Sequence, residues 1–413
     1  MPPGACISVC TPWNWLAVMR ERSGSLTSSD NLRARCLQLR DKEFPFTQDS
    51  VYLNNAGIGP IPERTLAVVE RLNAAKTAPH SMDVPGLFSG LSETRQAVAR
   101  LINADADEIG LMTGTSLSLN VAAQALPVKS GEIVIVPDRE FPANVYPWKQ
   151  LESRGVLVEL VPPDDRGWPN EDLLCERVTD PRVRVLAISL IQFSNGFRAN
   201  LDRLAEVCKA HDCYLVVDGI QGIGQVAFDA KATPVDMLAC GGQKWLLSPF
   251  GSGFLYVRRE LLERLNPTFV GWLAFEGTDD YSRLTEYDNQ LRRDARRFEI
   301  NTLPFQDLIA MRESVRLLLS FGIENIERWL REVRRPLLEA VETGELSAVS
   351  PLQNEHASGI VCVTPKRLTE CQKTLKLEGV VCALREGALR FSPHCYNTPE
   401  EMEKVVGIMT EFA

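Results

Sequence analysis

The chain has 413 residues, of which 45% are hydrophobic, so it is longer than one typical domain and can bury a sizeable core. Its formal net charge of −9, from 45 Lys and Arg against 54 Asp and Glu, comes without long charged blocks, which argues against nucleic acid as the main partner. No run of about 18 apolar residues predicts a membrane span, and 11 cysteines without a C-x-x-C pair or paired zinc spacing predict neither disulfides nor a metal site.

Residues 1–40 differ in composition from the rest of the chain. They contain five arginines, five serines and two acidic residues. The segment lacks the basic start and apolar stretch of a secretory signal, although its acid-poor composition is shared with organelle transit peptides. We therefore expect a flexible N-terminal extension on a cytoplasmic protein with reduced thiols, and targeting to an organelle is the alternative.

Apolar runs alternate with helical stretches over residues 61–303. Continuous apolar strands separated by helices are typical of a mostly parallel sheet covered on both faces. Residues 200–212 have apolar positions at helical spacing, as expected of a helix that connects two parallel strands. The apolar runs lie at residues 132–137, 157–162, 183–191, 214–218, 237–242 and 253–258. The sequence therefore predicts an α/β fold class, with a three-layer α/β/α large domain over residues 61–303.

The last part of the chain follows a different pattern. Two helices are predicted at about residues 305–319 and 324–343, and a strand over residues 358–364 is followed by another helix and strand. Together, residues 41–60 and 304–413 are expected to form a smaller α+β domain.

The most informative pair of residues is Asp218 and Lys244. Asp218 ends the apolar run of residues 214–218, where ligands bind in open α/β sheets, and Lys244 follows 26 residues later between glycines and an apolar segment. Burial lowers the pKa of such a lysine, so its amine can form a Schiff base with an aldehyde cofactor and move the Cα proton of a substrate. A carboxylate against a pyridine nitrogen keeps that nitrogen protonated. The alternatives are a solvated lysine and an aspartate that only caps a turn.

A phosphate group needs backbone amides and hydroxyls at the start of a helix. Residues 112–126 offer Gly114, Thr115 and Ser116 directly before an amphipathic helical stretch. Taken alone, this motif is equally consistent with simple helix capping. In chain order with the aspartate and the lysine, it predicts the phosphate site of the cofactor.

With these motifs, the chain resembles the class V aminotransferase and cysteine desulfurase-like family of pyridoxal-phosphate enzymes, over about residues 50–410. The resemblance implies fold type I and pyridoxal 5'-phosphate as the cofactor. It implies a reaction at Cα of an amino acid, through a Schiff base with Lys244 and a quinonoid stabilised by Asp218. The implied partners are a small amino-acid substrate and a second copy of the chain, with active sites at the interface of a homodimer.

Further cofactor contacts are implied by the resemblance. Gln221 matches the glutamine that hydrogen-bonds the ring oxygen of the cofactor, and Gln243 stands where relatives often carry a histidine that touches the phosphate. Phe141 matches the aromatic residue over the cofactor ring, and a plain core phenylalanine is the alternative. Thr302 matches the threonine that reaches the phosphate in the neighbouring subunit.

The resemblance also implies the substrate-binding residues. Arg390 matches the arginine that holds the substrate α-carboxylate through a bidentate fork, and Arg385 is a candidate for binding a second anion. Asn55 and Ala56 match the N-terminal segment that lies near the substrate.

The chain departs from the family where desulfurases carry a nucleophilic cysteine. In those enzymes the cysteine lies on a loop between the two arginine positions, but here only residues 386–389 separate Arg385 from Arg390, and none is a cysteine. Cys382 and Cys395 lie nearby and are expected to be structural.

A second departure lies in residues 189–198. The family asparagine near the ring oxygen of the cofactor is replaced there, and Gln192 and Asn195 are both candidates for its role. The sequence does not choose between them.

Three reactions can begin with removal of the Cα proton: carbon-sulfur β-elimination, transamination and epimerisation. Epimerisation usually needs a second proton donor on the opposite face of the substrate, and Phe141 cannot supply one. A carbon-sulfur β-lyase or an aminotransferase is therefore expected. The alternatives are an epimerase, a desulfurase that uses an atypical cysteine, and an inactive scaffold with the same fold.

Overall fold

The computed structural model describes residues 28–278, 280–282, 284–287, 290–352 and 355–412. The part of the expected N-terminal extension that comprises residues 1–27 lies outside these ranges.

The first described element corrects one expectation. Helix α1 (Ser28–Glu43) occupies the end of the segment that was expected to be a flexible extension. Leu32 and Cys36 on this helix are buried in the hydrophobic core, and the side chain of Arg40 donates a hydrogen bond to the carbonyl oxygen of Tyr396 at 2.7 Å. The expectation is therefore wrong for residues 28–40, because this helix packs apolar side chains against the rest of the protein.

The helices that follow are α2 (Glu63–Lys76), α3 (Val84–Leu101), α4 (Thr115–Ala125), α5 (Tyr146–Lys149), α6 (Glu171–Val178), α7 (Leu201–Ala210), α8 (Arg259–Leu262), α9 (Phe305–Phe321), α10 (Ile323–Glu342), α11 (Leu368–Leu377) and α12 (Pro399–Thr410). The strands are β1 (Val51–Tyr52), β2 (Ile109–Met112), β3 (Ile133–Pro137), β4 (Leu157–Val161), β5 (Val183–Ser189), β6 (Tyr214–Asp218), β7 (Met237–Gly241), β8 (Gly253–Val257), β9 (Val361–Val363), β10 (Val380–Val381), β11 (Ala383–Arg385) and β12 (Ala388–Phe391).

A seven-stranded sheet forms the centre of the large lobe, in the order β2-β8-β7-β6-β5-β3-β4. Strand β8 runs antiparallel to both of its neighbours, and the remaining pairs in the sheet are parallel. Strands β3 to β8 lie within the apolar runs predicted from the sequence. Strand β2 was not predicted, because a four-residue apolar segment cannot be told from a piece of buried helix by periodicity.

The side chains of β6 explain why the sheet needs cover on both faces. Leu215 and Val217 pack in one apolar cluster, and Tyr214 and Val216 pack in another. Successive side chains of a strand point to opposite faces, so the two clusters lie on opposite sides of the sheet. Helices α3 and α7 contribute to the first cluster and α4 to the second. The expected three-layer α/β/α architecture is confirmed.

The smaller lobe combines helices with a three-stranded antiparallel sheet in the order β11-β12-β9. Leu337 of α10, Cys371 of α11 and Met402 of α12 pack with Leu389 and Phe391 of β12 in a third apolar cluster. Strand β1 pairs in parallel with β10, which joins the segment before α2 to the C-terminal part of the chain. The two helices predicted after the large domain are present as α9 and α10.

Three negative findings concern the described part of the chain. None of its helices is long and apolar enough to cross a membrane. No group of three or more His, Cys, Asp and Glu side chains in it is arranged to hold a metal ion. Its nine cysteines are free thiols.

Candidate active site

The carboxyl ends of three parallel strands meet at one edge of the large sheet. Asp218 ends β6 and pairs with Ser189 at the end of β5 and with Ala239 of β7. Lys244 lies three residues beyond the end of β7. Ligands bind at this edge in open α/β sheets, and the fold brings both predicted catalytic residues to it.

Lys244 and Asp218 perturb each other electrostatically. Burial lowers the pKa of Lys244 to about 8, and the charge of Asp218 opposes that shift. Burial raises the pKa of Asp218 to about 6, against the effects of Lys244 and of the Ile220 N–H, which donates to the carboxylate at 3.0 Å. The site therefore combines an amine that is partly neutral near pH 7 with a buried acid that a cationic partner would stabilise.

An aromatic side chain lies beside the lysine. The centre of the Phe141 ring is 5.4 Å from Lys244 Nζ, and the ring packs edge-to-face against Phe193 with the two centres 5.2 Å apart. Phe141 is 42% exposed, so it is not a plain core residue. A flat ligand bound next to the lysine can stack on this ring.

The start of α4 leaves space for an anion. Gly114 precedes the helix with a φ of +156°, and no atom lies within 4 Å of the position where a Cβ would stand. Thr115 Oγ1 accepts a hydrogen bond from the Gly241 N–H at 2.8 Å. A Cβ built on Gly241 would lie 2.5 Å from Gln243 Oε1 and 3.1 Å from Thr115 Oγ1, so these side chains converge there. Ser116 is exposed in the first turn of the helix. The dipole of the helix, its first backbone amides and these hydroxyl groups together suit a bound phosphate.

Gln221 joins the site to the N-terminal segment. Its Nε2 donates to the Ala56 carbonyl oxygen at 3.1 Å, and its Oε1 accepts from Trp245 Nε1 at 2.8 Å. Asn55 Oδ1 accepts from the Tyr396 hydroxyl at 3.0 Å, while the buried Asn55 Nδ2 has no partner among the described residues. Gln221 thus links Ala56 to Trp245, the residue that follows Lys244.

Arg390 is a buried guanidinium on β12. Its Nη1 donates to the Phe193 carbonyl oxygen at 2.8 Å, and its buried Nε has no hydrogen-bond partner among the described residues. Burial lowers the pKa of Arg390 to about 10, and the charge of Arg390 in turn lowers the pKa of Lys244. A buried cation is costly unless an anion pairs with it, so the site contains a group that an anion would stabilise.

Arg385 lies on the same face of the β11-β12 hairpin as Arg390. Ala383 stands opposite Arg390, and Arg385 stands opposite Ala388. Opposed residues share a face, and so do alternate residues along a strand. Arg385 is exposed, and its charge lowers the pKa of both Lys244 and Arg390.

Between the two candidates for the missing family asparagine, the structure distinguishes clearly. Asn195 Oδ1 accepts from the Phe197 N–H at 2.9 Å and so holds a local turn. Gln192 is buried, and neither of its amide side-chain atoms has a partner among the described residues. A buried amide without a partner is costly, so of the two residues Gln192 is the one whose side chain a ligand would stabilise.

Glu140 is a site residue that the sequence reasoning missed. It directly precedes Phe141, and its buried carboxylate accepts hydrogen bonds from the N–H and the hydroxyl of Ser189. Burial raises the pKa of Glu140 to about 7 against the effect of these bonds, and the charge of Asp218 adds to the rise. The signal in the sequence was an acid placed between a buried strand and an aromatic residue.

Thr302 is not brought to this site within one protomer. It is exposed, and its hydroxyl accepts a hydrogen bond from Trp272 Nε1 at 3.2 Å. None of its hydrogen bonds in the described part of the chain reaches the lysine or the start of α4. Its predicted contact with a neighbouring subunit stays a prediction.

The two cysteines near the arginines are poor nucleophiles. Cys395 is fully buried with its Sγ 3.1 Å from His394 Nδ1, and burial raises its pKa well above the usual value. Burial also raises the pKa of Cys382, to about 12. Because a thiolate is the reactive form, neither side chain is activated for attack.

These residues fit pyridoxal phosphate. The open start of α4 offers donors to a phosphate, and Lys244 offers an amine to an aldehyde. Asp218 would be stabilised by a protonated ring nitrogen, because its buried carboxylate is otherwise costly. Gln192 and Arg390 carry buried polar atoms without partners in the described part of the chain, as expected of groups that wait for a ligand.

Comparisons with known proteins agree with this interpretation. The model of the family described as aminotransferase class-V matches residues 51–405. An uncharacterized aminotransferase of Bacillus subtilis, YcbU, is 29% identical over 313 residues, which cover 76% of this chain and 81% of that protein. A probable cysteine desulfurase of Pyrococcus abyssi is 26% identical over 392 residues, which cover 90% of this chain and 96% of that protein.

Solved structures have the same fold. The apo structure of the cysteine desulfurase from Thermococcus onnurineus NA1 matches with a TM-score of 0.80 at 22% identity, over 91% of this chain and 97% of that chain. The cystine C-S lyase C-DES, in complex with its reaction product cysteine persulfide, matches with a TM-score of 0.80 at 19% identity, over 90% and 100% of the two chains. Because the family model covers most of the sequence, the chain belongs to the aminotransferase class-V family of pyridoxal-phosphate-dependent enzymes.

Proposed function

We propose that the protein is a carbon-sulfur β-lyase that acts at Cα of a cysteine-derived amino acid. The main support is the combination of Lys244, a partly neutral amine, with Arg390, a buried guanidinium whose charge acts on Lys244 and whose Nε has no hydrogen-bond partner in the described part of the chain. An α-amino acid offers a proton on Cα to the first group and a carboxylate to the second.

Pyridoxal phosphate, when bound, supplies the electron sink that makes the Cα proton acidic. We assign its phosphate to the start of α4, where Gly114 leaves open space and Thr115 and Gln243 converge. Asp218 would hold the ring nitrogen of the bound cofactor in its protonated form, and Phe141 would offer its ring for stacking.

Lys244 moves the proton at Cα. Its pKa of about 8 gives a larger neutral fraction near pH 7 than an ordinary lysine has. Arg390 orients the substrate, because a planar guanidinium can donate two parallel hydrogen bonds to a carboxylate.

The hairpin between the two arginines argues against persulfide transfer. Arg385 pairs directly with Ala388, so only Glu386 and Gly387 form the turn, both with positive φ, of 45° and 80°. A turn of this kind is tight and cannot carry a mobile cysteine into the site. The sulfur-containing product is therefore expected to leave as a free thiol or persulfide.

The charges around the lysine argue against epimerisation. After burial, the largest effects on the pKa of Lys244 among the described residues come from the charges of Asp218, Arg390, Cys240 and Arg385. Asp218 is assigned to the cofactor, arginine stays protonated, and burial raises the pKa of Cys240 far above its usual value. None of these four groups is therefore free to return a proton to the opposite face of Cα, as an epimerase requires.

The proposed reaction consumes one water. Lys244 takes the Cα proton, the bond between Cβ and sulfur breaks, and the sulfur leaves with the electron pair and gains a proton. Hydrolysis of the remaining three-carbon fragment gives pyruvate and ammonia. An S-substituted cysteine and water thus become a thiol, pyruvate and ammonia, without an oxidant or reductant.

Transamination is the second candidate. It uses the same lysine, aspartate and arginine, and the Bacillus subtilis relative is named an aminotransferase. For this reaction the bound cofactor would supply amino-group transfer, while Lys244 would move the proton and Arg390 would hold first the amino acid and then the ketoacid by the carboxylate.

We assign Arg385 to a second anionic group on the substrate. It shares a face of the hairpin with Arg390 and its charge acts on Lys244, so an acid on the leaving part of the substrate can reach it. Cysteine derivatives whose substituent on sulfur carries a second carboxylate, such as cystine, have this chemistry. They should bind more tightly than S-alkyl cysteines.

We further propose a homodimer. Thr302 contacts Trp272, whose ring packs 5.9 Å from the ring of Tyr281, and Phe269 and Tyr281 are exposed. Exposed apolar side chains grouped in this way are typical of an interface. Phe269→Glu should convert the dimer to a monomer in sedimentation experiments and weaken cofactor binding if Thr302 serves the partner subunit. A wild-type monomer that retains full activity would contradict this.

The experiment that tests the function is a panel of amino acids incubated with the holoenzyme. A lyase releases pyruvate, ammonia and a sulfur-containing product while the absorbance of the cofactor stays in its original form. An aminotransferase instead converts the cofactor to its amine form in the absence of a ketoacid. Cys382→Ser and Cys395→Ser should retain full activity; a loss would favour sulfur transfer through one of these thiols.

A further inference from the structure

Glu140 is a buried carboxylate that the proposed reaction does not use. Its side chain is 6% exposed, and no lysine, arginine or histidine in the described part of the chain forms an ion pair with it. Burying a carboxylate without a counter-charge is costly, so a specific role must offset this cost. The position of Glu140 next to Phe141 indicates what the role is.

Two hydrogen bonds join Glu140 to the edge of the large sheet. The Ser189 N–H donates to Oε1 at 2.6 Å, and the Ser189 hydroxyl donates to Oε2 at 2.5 Å. Ser189 ends β5 and is the cross-strand neighbour of Asp218. Glu140 thus binds Ser189, the neighbour of Asp218, which is the acid assigned to the cofactor.

The backbone around Glu140 turns so that neighbouring side chains point in opposite directions. Arg139 adopts a φ of +66°, in the left-handed region that non-glycine residues seldom occupy. Such a conformation persists when the surrounding contacts enforce it, and the next residue, Glu140, is held by its two bonds to Ser189. Phe141 is extended, with a φ of −62° and a ψ of 138°, and its side chain emerges beside Lys244.

We propose that Glu140 is a positioning residue that holds the Phe141 ring in place for the cofactor by anchoring this turn to the end of β5. Glu140 is buried, whereas the extended Phe141 that follows it is half-exposed beside Lys244. The inference rests on the cofactor site assigned above. Binding of pyridoxal phosphate to the wild-type protein tests that site separately.

The test is a double-mutant cycle on cofactor binding. Cofactor-free wild type, Glu140→Gln, Phe141→Leu and the double variant are titrated with pyridoxal phosphate. Binding is followed by absorbance and by circular dichroism of the cofactor band, which responds to how the ring is held. Glutamine keeps the size of Glu140 but loses the charge and one acceptor. Each single substitution should weaken binding about tenfold, corresponding to about 1.4 kcal/mol, and reduce the circular dichroism of the band.

The double variant decides whether the two residues act together. If Glu140 acts through Phe141, the double variant should bind no more than about tenfold more weakly than wild type, because the effects are shared. Independent effects that multiply to about a hundredfold would overturn the proposal. So would Glu140→Gln with an unchanged cofactor band. Failure of the wild type to bind pyridoxal phosphate would instead overturn the cofactor site itself.

Glu171→Gln is the matched control. Glu171 is also a buried carboxylate of the large lobe, and it accepts a hydrogen bond from the Asn200 N–H at 2.7 Å. This substitution should leave cofactor affinity within about twofold of wild type. If Glu140→Gln does not fold, Ser189→Ala replaces it, because the backbone bond remains and only the hydroxyl is lost. A smaller loss of the circular dichroism band is expected then, and an unchanged band would contradict the proposal.

Discussion

Arg390 donates a hydrogen bond to the carbonyl oxygen of Phe193 at 2.8 Å. Arg390 belongs to the small-lobe strand β12, whereas Phe193 follows the large-lobe strand β5, so the contact bridges the two lobes. The ring of Phe193 also packs against Phe141. The group proposed to hold the substrate and the ring proposed to hold the cofactor are therefore supported by the same short segment.

Arg390→Lys tests the carboxylate site. Lysine keeps the charge but loses the planar fork and the bond to Phe193. KM for amino-acid substrates should rise about 10- to 100-fold, since a hydrogen bond to a charged group contributes about 1.5–3 kcal/mol. Steady-state kinetics measures this, and cofactor absorbance without substrate should not change. If KM rises equally for an amine analogue that lacks the carboxylate, the assignment is wrong.

Lys244→Ala tests the proton-transfer role. Removing this buried amine should lower kcat about ten-thousand-fold, in line with the upper range for general acid-base groups. Single-turnover kinetics on the reconstituted variant gives the value. Lys231→Ala is the control, because Lys231 is an exposed lysine that pairs with Asp105. Activity of Lys244→Ala close to that of the control would refute the mechanism.

Asp218→Asn tests the cost of the buried acid in the cofactor-free protein. The folded-state pKa of about 6 lies above the ordinary value of 3.8, so the associated stability is present below pH 3.8 and is lost as the pH rises through 6. The asparagine variant has no such loss. Its Tm should therefore increase relative to wild type between pH 4 and pH 7, with an upper limit of about 3 kcal/mol in the free energy of unfolding. Thermal unfolding at several pH values measures this; a difference that is constant with pH would contradict it.

Gln192→Met and Asn195→Ala separate the two candidates for the missing family asparagine. Methionine removes two buried amide atoms without partners, so the cofactor-free protein should become more stable by about 1–3 kcal/mol while cofactor affinity falls. Asn195→Ala loses the acceptor for the Phe197 N–H and should cost about 1 kcal/mol, with cofactor affinity unchanged. The reverse pattern in binding and unfolding experiments would assign the role to Asn195.

Local patterns in the sequence were sufficient for the parts of the site that lie at the ends of buried strands. The apolar run that ends at Asp218 and the glycine-flanked Lys244 are both readable within a few residues, and the fold brings them to one sheet edge. The helical spacing that predicted α9 and α10 is equally local. Two elements were harder to predict: β2 has only four residues, and α1 begins in a segment whose composition suggested an extension.

Partners that are distant in the chain could not be predicted in this way. Nothing near Gln192 in the sequence says that its amide lacks a partner whereas that of Asn195 has one. Likewise, the bonds between Glu140 and Ser189 join residues 49 positions apart. Such facts depend on which strand ends become neighbours, and the chain order alone does not specify them.

The amino-acid sequence by itself determined the layered α/β architecture and predicted the cofactor and the residues around it, because hydrophobic periodicity and strand-end motifs act over short distances. Tertiary structure decided which polar groups remain without partners and which are already satisfied, and it joined Arg390 of one lobe to Phe193 of the other. The physical reason is that burial and hydrogen bonding depend on the arrangement of the whole fold, whereas periodicity depends only on neighbouring residues.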